Sequence, residues 1–393
     1  MKRFLYFLLP LALLGCQQAD ETLLLGDEQF DAYLPLLQNQ RVAIYSNQSG
    51  LVGGERPLLD VLLEKEVNVT AIFSPEHGYK GIEDDATGVD DAIEPATGLP
   101  ILSLWGDEGD LKPTEHAMTL FDVLVVDIQD VGLRYYTYYI TLCHLMDACG
   151  AHDKAVILLD RPNPHGDEVD GPILEEALKS EVGYLPLPIL HGLTLGELAG
   201  MAIGEKWLKE GNECHLTVIP CKHYTHGTRY ILPVAPSPNL PNETAIDLYP
   251  SICPFEGTVM SLGRGTDKPF QQYGHPLLKV KYSYSFTPQS VLGATQPPLL
   301  GEECFGVDLS MLSHEEIRQK GMDFSYLMDA YSVFKEEGKA DAFFTPFFDL
   351  LMGCTYVREM ILEGHSIEEI RACWADELQA YKVLRQKYLL YDE

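Results

Sequence analysis

The chain has 393 residues, 46% hydrophobic, with 28 Lys and Arg against 59 Asp and Glu, a formal net charge of −31. That length accommodates two domains, and that apolar share supplies a sizeable core, which excludes a disordered chain. The acidic balance excludes a nucleic-acid binder, whose phosphate-facing surface must be basic, and docking on anionic lipid by charge.

Lys2 and Arg3 precede an apolar run, Phe4 to Leu14, and then Gly15-Cys16. The run is shorter than the roughly 20 residues a membrane span needs, so residues 1–15 read as a secretory signal. Leu13-Leu14-Gly15-Cys16 resembles a bacterial lipobox, which makes Cys16 the expected lipidated first residue. Gln17 after it resembles lipoproteins sent to the outer membrane of a Gram-negative host. The expectation is an envelope protein on the periplasmic face, touching membrane only through its lipid, with residues 16–27 as a tether. The chain without residues 1–15 has 26 basic and 59 acidic side chains, a formal charge of −33.

Beyond the tether, apolar strands alternate with amphipathic segments. Arg41–Tyr45 reads as a strand ending in the Asx- and Gly-type turn Ser46–Gly50, and Pro57–Glu66 suits a helix. Val67–Phe73 is a second strand, stopped by Ser74-Pro75, after which Glu76, His77, Gly78 and Gly81 form a sharp loop. Pro100–Trp105 and Asp122–Gln129 are a third and a fourth strand, the latter a continuous apolar run expected where both faces are covered. Tyr138–Gly150 reads as a helix, Ala155–Leu159 as a strand, Thr194–Glu210 as a helix and His215–Ile219 as a sixth strand. This alternation predicts a Rossmann-like, doubly wound parallel sheet over residues 28–233.

The strand ends carry Asn47 and Gln48, Glu76 and His77, then Asp127, Gln129, Asp130 and Arg134, then Asp160, Arg161 and Asn163. In a parallel sheet these share one edge, where ligands of open α/β folds bind. No GxGxxG, Walker A or GxSxG sequence is present, which points away from a nucleotide cofactor and towards a cofactor-free hydrolase or a binder. Cys214, Cys221, His223 and His226 lack the paired CxxC spacing of a zinc site and read as buried thiols or one disulfide; no metal is expected. Four prolines within 233–241 mark a stiff connector, and a smaller α/β domain is expected over 234–393. In it, glycines flank Arg264, and Ser366 to Glu369 opens a helical stretch with a capping box.

Together these motifs resemble the exo-β-N-acetylmuramidases of the NamZ/YbbC type. The resemblance rests on Ser74-Pro-Glu-His-Gly78, Asp127-Ile-Gln-Asp-Val-Gly132, Arg134-Tyr-Tyr-Thr-Tyr138 and Leu159-Asp-Arg-Pro-Asn-Pro164. It continues through Ile189–Leu198, Ser237-Pro-Asn239, Phe255-Glu-Gly257, Gly263-Arg-Gly-Thr266 and Lys268-Pro-Phe270 to Arg385–Tyr391. Lys222-His223 and Asn163–Gly166 depart from the family pattern.

The resemblance implies release of terminal N-acetylmuramic acid from the non-reducing end of peptidoglycan fragments, in a cleft between a Rossmann-like and a smaller α/β domain. It also implies that Glu76 is catalytic. Glycosidases commonly flank the scissile bond with two carboxyl groups; Asp127, Asp130 and Glu256 are open as the partner. His77 either tunes Glu76, binds sugar or holds the loop. The lactyl carboxylate of muramic acid matches a guanidinium, with Arg264 ahead of Arg134 and Arg161. Tyr136, Tyr138 and Phe270 are stacking candidates, and His191, Asn239 and Thr266 join Asn47, Gln129 and Asn163 as candidate substrate contacts. A rival reading is a lipid-anchored sugar- or muropeptide-binding protein without turnover.

Overall fold

Apolar side chains occupy both phases of the predicted strands, so each strand can be covered on two faces. In the computed structural model, which describes residues 22–83, 91–104 and 111–393, that is what happens. The expected signal, Cys16 and Trp105 lie outside the described residues.

A seven-stranded sheet holds β1 (Val42–Ser46), β2 (Val69–Ser74), β3 (Ala92–Ile93), β4 (Pro100–Ser103), β5 (Val123–Asp127), β6 (Ala155–Leu159) and β7 (His215–Ile219). Their order is β3-β4-β2-β1-β5-β6-β7; β3 is antiparallel to β4 and every other pairing is parallel. Ile44, Ile72, Val125 and Ile157 face one layer, against Leu58, Leu59 and Leu62 of α1 (Leu58–Glu64). Tyr45, Phe73, Val126 and Leu158 face the other, against α2 (Tyr138–Ala151) and α3 (Leu195–Gly204). This is the doubly wound arrangement, and it brings the carboxyl ends of the six parallel strands to one edge.

After the connector come α4 (Glu243–Ile252) and an antiparallel sheet of order β8-β10-β9, with β8 Gln272–His275, β9 Tyr284–Phe286 and β10 Cys304–Asp308. Helices α5 (Ser325–Glu336) and α6 (Ile367–Arg385) follow. The capping box of α6 forms as expected: Ser366 accepts from the Glu369 amide, and the Glu369 carboxylate accepts from the Ser366 amide. The last turns of α6 dock on the first domain, Tyr381 donating to the His191 carbonyl and Arg385 to that of Gly192. One core runs from Phe73 and Val126 through Phe255 and Tyr273 to Trp374. A shared apolar core, unlike the polar interface of mobile domains, fixes the two halves against each other.

Two expectations change. The tether is shorter than residues 16–27: Leu24 pairs with Lys222 and Asp27 is fully buried, because the sheet edge takes up this segment. The Thr194–Glu210 helix stops at Gly204, since Lys206 turns into the left-handed region at φ 58° and Trp207 packs back on the core. Of the two readings open for Cys214 and Cys221, separate buried thiols is the one found.

Candidate active site

Strand β2 ends at Ser74-Pro75, and the loop that follows is tightly wound. Gly78 donates to the Pro75 carbonyl at 3.0 Å, and the amides of Ile82 and Glu83 both reach the His77 carbonyl. Gly78 and Gly81 take φ of 73° and 65°, as the sequence suggests, but His77 does so too, at 69°. A side chain in that region costs on the order of 1 kcal/mol, and such residues gather at working sites. The His77 ring pins the turn, with Nδ1 2.8 Å from the Glu83 carbonyl. The result is a rigid loop that presents Glu76.

Glu76 and His77 open into a chamber of about 120 Å³. Tyr136, Thr137 and Tyr138 line it from the first domain, and Asn239, Tyr249, Glu256, Arg264 and Phe270 from beyond the connector. The Thr137 hydroxyl donates to Glu76 Oε2 at 2.7 Å. Glu256 Oε1 accepts from Arg264 Nε at 2.9 Å and Nη2 at 2.6 Å, while its Oε2 accepts from the Cys253 thiol at 3.3 Å. The Arg264 guanidinium lies 5.1 Å from the Phe270 ring. Tyr136 packs on Tyr138 at 4.6 Å, and Tyr249 on Phe270 at 4.9 Å, giving aromatic walls. Two carboxyl groups, a guanidinium and aromatic faces in one hollow can bind a saccharide and move a proton within it.

Nine expected site residues do not line this chamber. Asp127 and Arg161 form a buried triad with Asp27, in which Arg161 Nε meets Asp127 at 2.6 Å and Nη2 meets Asp27 at 2.6 Å. Burial, and then the nearby Asp127 charge, push the Asp27 carboxyl up to about 8. Arg134 is wholly buried and donates to the carbonyls of Pro172, Leu187 and Leu351, stapling the domains together. Asp130 is buried, caps the Gly132 amide, and is pushed up to about 7 by desolvation. Gln129 donates to the carbonyls of Asp130 and Pro162, and Asn163 to that of Leu193. Burial pushes the His191 imidazole down to about 3, and it accepts from the Leu193 amide. Thr266 braces its own loop through Gly263, Lys268 and Gln272. Asn47 stands one layer back, donating to the Tyr138 hydroxyl at 3.0 Å.

The reason is local. The crevice between β1 and β5, where an open α/β sheet usually takes its ligand, is filled by side chains. Ser49 donates to Asn47 and accepts from the Gln129 amide, and the connector covers them: Gln48 reaches the carbonyls of Ala235 and Pro236, and Tyr138 that of Pro236. The chamber therefore sits farther out. Thr137, Tyr249 and Phe347 also belong to it and were not singled out from the sequence; only Thr137 lies inside a motif read there.

Among the described residues, Glu243, Asp247 and His314 come close enough to share a metal ion. Arg229 already holds both oxygens of Glu243 at 2.9 Å, and His314 Nδ1 lies 2.8 Å from Asp247, so all three side chains are already engaged within the protein. It lines a cavity that shares no residue with the chamber.

Two family models match the chain: the N-terminal part of the exo-beta-N-acetylmuramidase NamZ over residues 42–244 and the C-terminal part over 247–391. The peptidoglycan beta-N-acetylmuramidase NamZ of Bacillus subtilis (strain 168) is 33% identical over 381 residues, covering 91% of this chain and 89% of that protein. Two solved structures from Bacteroides fragilis NCTC 9343, both of DUF1343 family proteins, superpose on it. One (BF0379) has a TM-score of 0.86 at 54% identity, covering 95% of this chain and 100% of that one. The other (BF0371) has a TM-score of 0.80 at 28% identity, covering 94% and 99%.

Proposed function

The chain belongs to the exo-β-N-acetylmuramidase NamZ family, and from that premise we infer that it is a glycosidase releasing terminal N-acetylmuramic acid from the non-reducing end of peptidoglycan fragments. The observation that carries the site assignment is the meeting of Glu76 and Glu256 in one aromatic-walled chamber. Glu76, steadied by the Thr137 hydroxyl, is the general acid that protonates the departing oxygen. Glu256, a carboxylate facing the Arg264 guanidinium, is the second group and stabilises the positive charge that develops at the anomeric carbon. Tyr136, Tyr138 and Phe270 offer faces for the sugar ring. Arg264 carries the one guanidinium lining the chamber among the described residues, so the lactyl carboxylate meets its positive charge there. A role as a sugar-binding protein without turnover is not favoured, since binding alone does not call for two carboxyl groups in one hollow.

The lipobox-like Leu13–Cys16 supports attachment through a lipid on Cys16 and residence in the cell envelope. Cys16→Ser should then move the protein from the detergent-extracted to the soluble fraction. For the activity, incubation with a chromogenic β-N-acetylmuramide and with its glucosamine analogue should release product only from the former. Equal release from both, or from neither, would overturn the reading.

A further inference from the structure

The carboxylate of Glu256 is held from two sides. Both bonds from Arg264 end on Oε1, and Oε2 accepts from the Cys253 thiol at 3.3 Å. The local backbone brings that thiol there. Cys253–Gly257 is a 3-10 turn running on from the end of α4. Side chains three apart on such a turn eclipse, so Cys253 and Glu256 point the same way. The turn is locked from outside: the Gly257 carbonyl accepts from the Thr345 amide at 2.9 Å, and a side chain at Gly257 would run into the Phe348 backbone. Cys253 itself is 1% exposed. Burial, and then the Glu256 charge, push its thiol well above the usual range, so at neutral pH it keeps the proton it donates. The Cys221 and Cys304 thiols, by contrast, donate to backbone carbonyls.

We propose that Cys253 is a positioning residue of the glycosidase, whose thiol fixes the rotation of the Glu256 carboxylate so that it meets the anomeric carbon in a single orientation. The proposal rests on the glycosidase reading and deepens it. The last torsion of a glutamate is broad, and two bonds to one oxygen pin that oxygen only. A donor on Oε2 removes the remaining freedom. A thiol suits this place better than a hydroxyl or an amide: it is a weak donor, so it orients the oxygen while drawing off little of its charge. Glu256 needs that charge, because its part is to stabilise the positive charge that develops on the sugar. Cys253 does not line the chamber, so it acts on the substrate only through Glu256.

The test is kinetic, on the chromogenic β-N-acetylmuramide. Cys253→Val keeps an apolar side chain and removes the donor, Cys253→Ala removes donor and volume, and Cys253→Ser restores a donor. Melting temperature and circular dichroism check each fold. In Cys253→Val, kcat should fall about tenfold with KM within a factor of about two, because a misdirected carboxylate harms the transition state more than the bound substrate. Cys253→Ala should behave alike, and Cys253→Ser should recover most of the loss. In a Glu256→Ala background, which leaves no carboxylate to orient, Cys253→Val should lower kcat by less than about twofold. If the valine variant does not fold, the alanine and serine variants carry the same comparison. Native kcat in folded variants without the donor, serine no better than valine or alanine, or an equal loss with and without Glu256 would each overturn the positioning role while leaving the glycosidase reading intact. A wild-type protein inert on the muramide would overturn the glycosidase reading and this proposal with it.

Discussion

Arg264 sets both Nε and Nη2 against a single oxygen of Glu256, at 2.9 and 2.6 Å. Nε and Nη2 are thus both committed to the carboxylate. The pair is partly exposed, 12% and 18% by side chain, so water screens it and its worth to stability is small. Its consequence is positional.

If the two side chains act as one unit, their losses do not add. Arg264→Met and Glu256→Gln should each lower kcat/KM on a β-N-acetylmuramide by about 10- to 1000-fold. The double variant should be no worse than the weaker single one by more than a few-fold. Steady-state kinetics on the four proteins closes the cycle, and full additivity would show that the residues act separately.

Glu76→Gln keeps the size of the side chain and an oxygen for Thr137 to bond, but removes the transferable proton. The melting temperature should stay within a few degrees, while kcat falls on the order of 100-fold or more. Near-native turnover would remove Glu76 from the mechanism.

Arg161 was a candidate for the lactyl carboxylate; its place between Asp27 and Asp127 makes it structural instead. Removing one member of a buried ionic network leaves unpaired charge at a cost of about 3–5 kcal/mol. Arg161→Met should therefore show that loss in urea unfolding, with KM for the muramide of the folded protein near the wild-type value. A large rise in KM without destabilisation would return Arg161 to the binding site.

Burial pushes the Asp130 carboxyl from 3.8 up to about 7, against the pull of its bond from the Gly132 amide. The folded chain then holds this proton longer than the unfolded chain does. Stability from this group is greatest below pH 3.8 and is lost as pH rises to about 7, by up to a few kcal/mol. His191, pushed down from 6.5 to about 3, works in the opposite sense, losing stability as pH falls through that window. The difference in melting temperature between Asp130→Asn and wild type isolates the first effect. It should increase in favour of the variant from pH 4 to 7 and level off above; a flat difference would contradict the assignment.

The β5 and β6 runs, with no polar residue before their ends, announce strands covered on both sides, and the Ser74-Pro75 stop announces the loop that holds Glu76. Alternation of strands and helices fixes a parallel sheet and gathers the polar strand ends on one edge. Those are local properties, set by side-chain period and backbone restriction, and a single sequence carries them. Which of the gathered side chains meet substrate depends on how distant segments pack over that edge. The connector at Ala235 and Pro236 closes the crevice above Asn47, and Asp27 arrives from the amino-terminal segment to claim Arg161. Arg161 and Arg264 look alike in sequence, each a cation beside a turn. One became a buried counter-ion and the other a wall of the chamber, because burial and pairing are settled by contacts between residues far apart in the chain, which only the tertiary structure brings together.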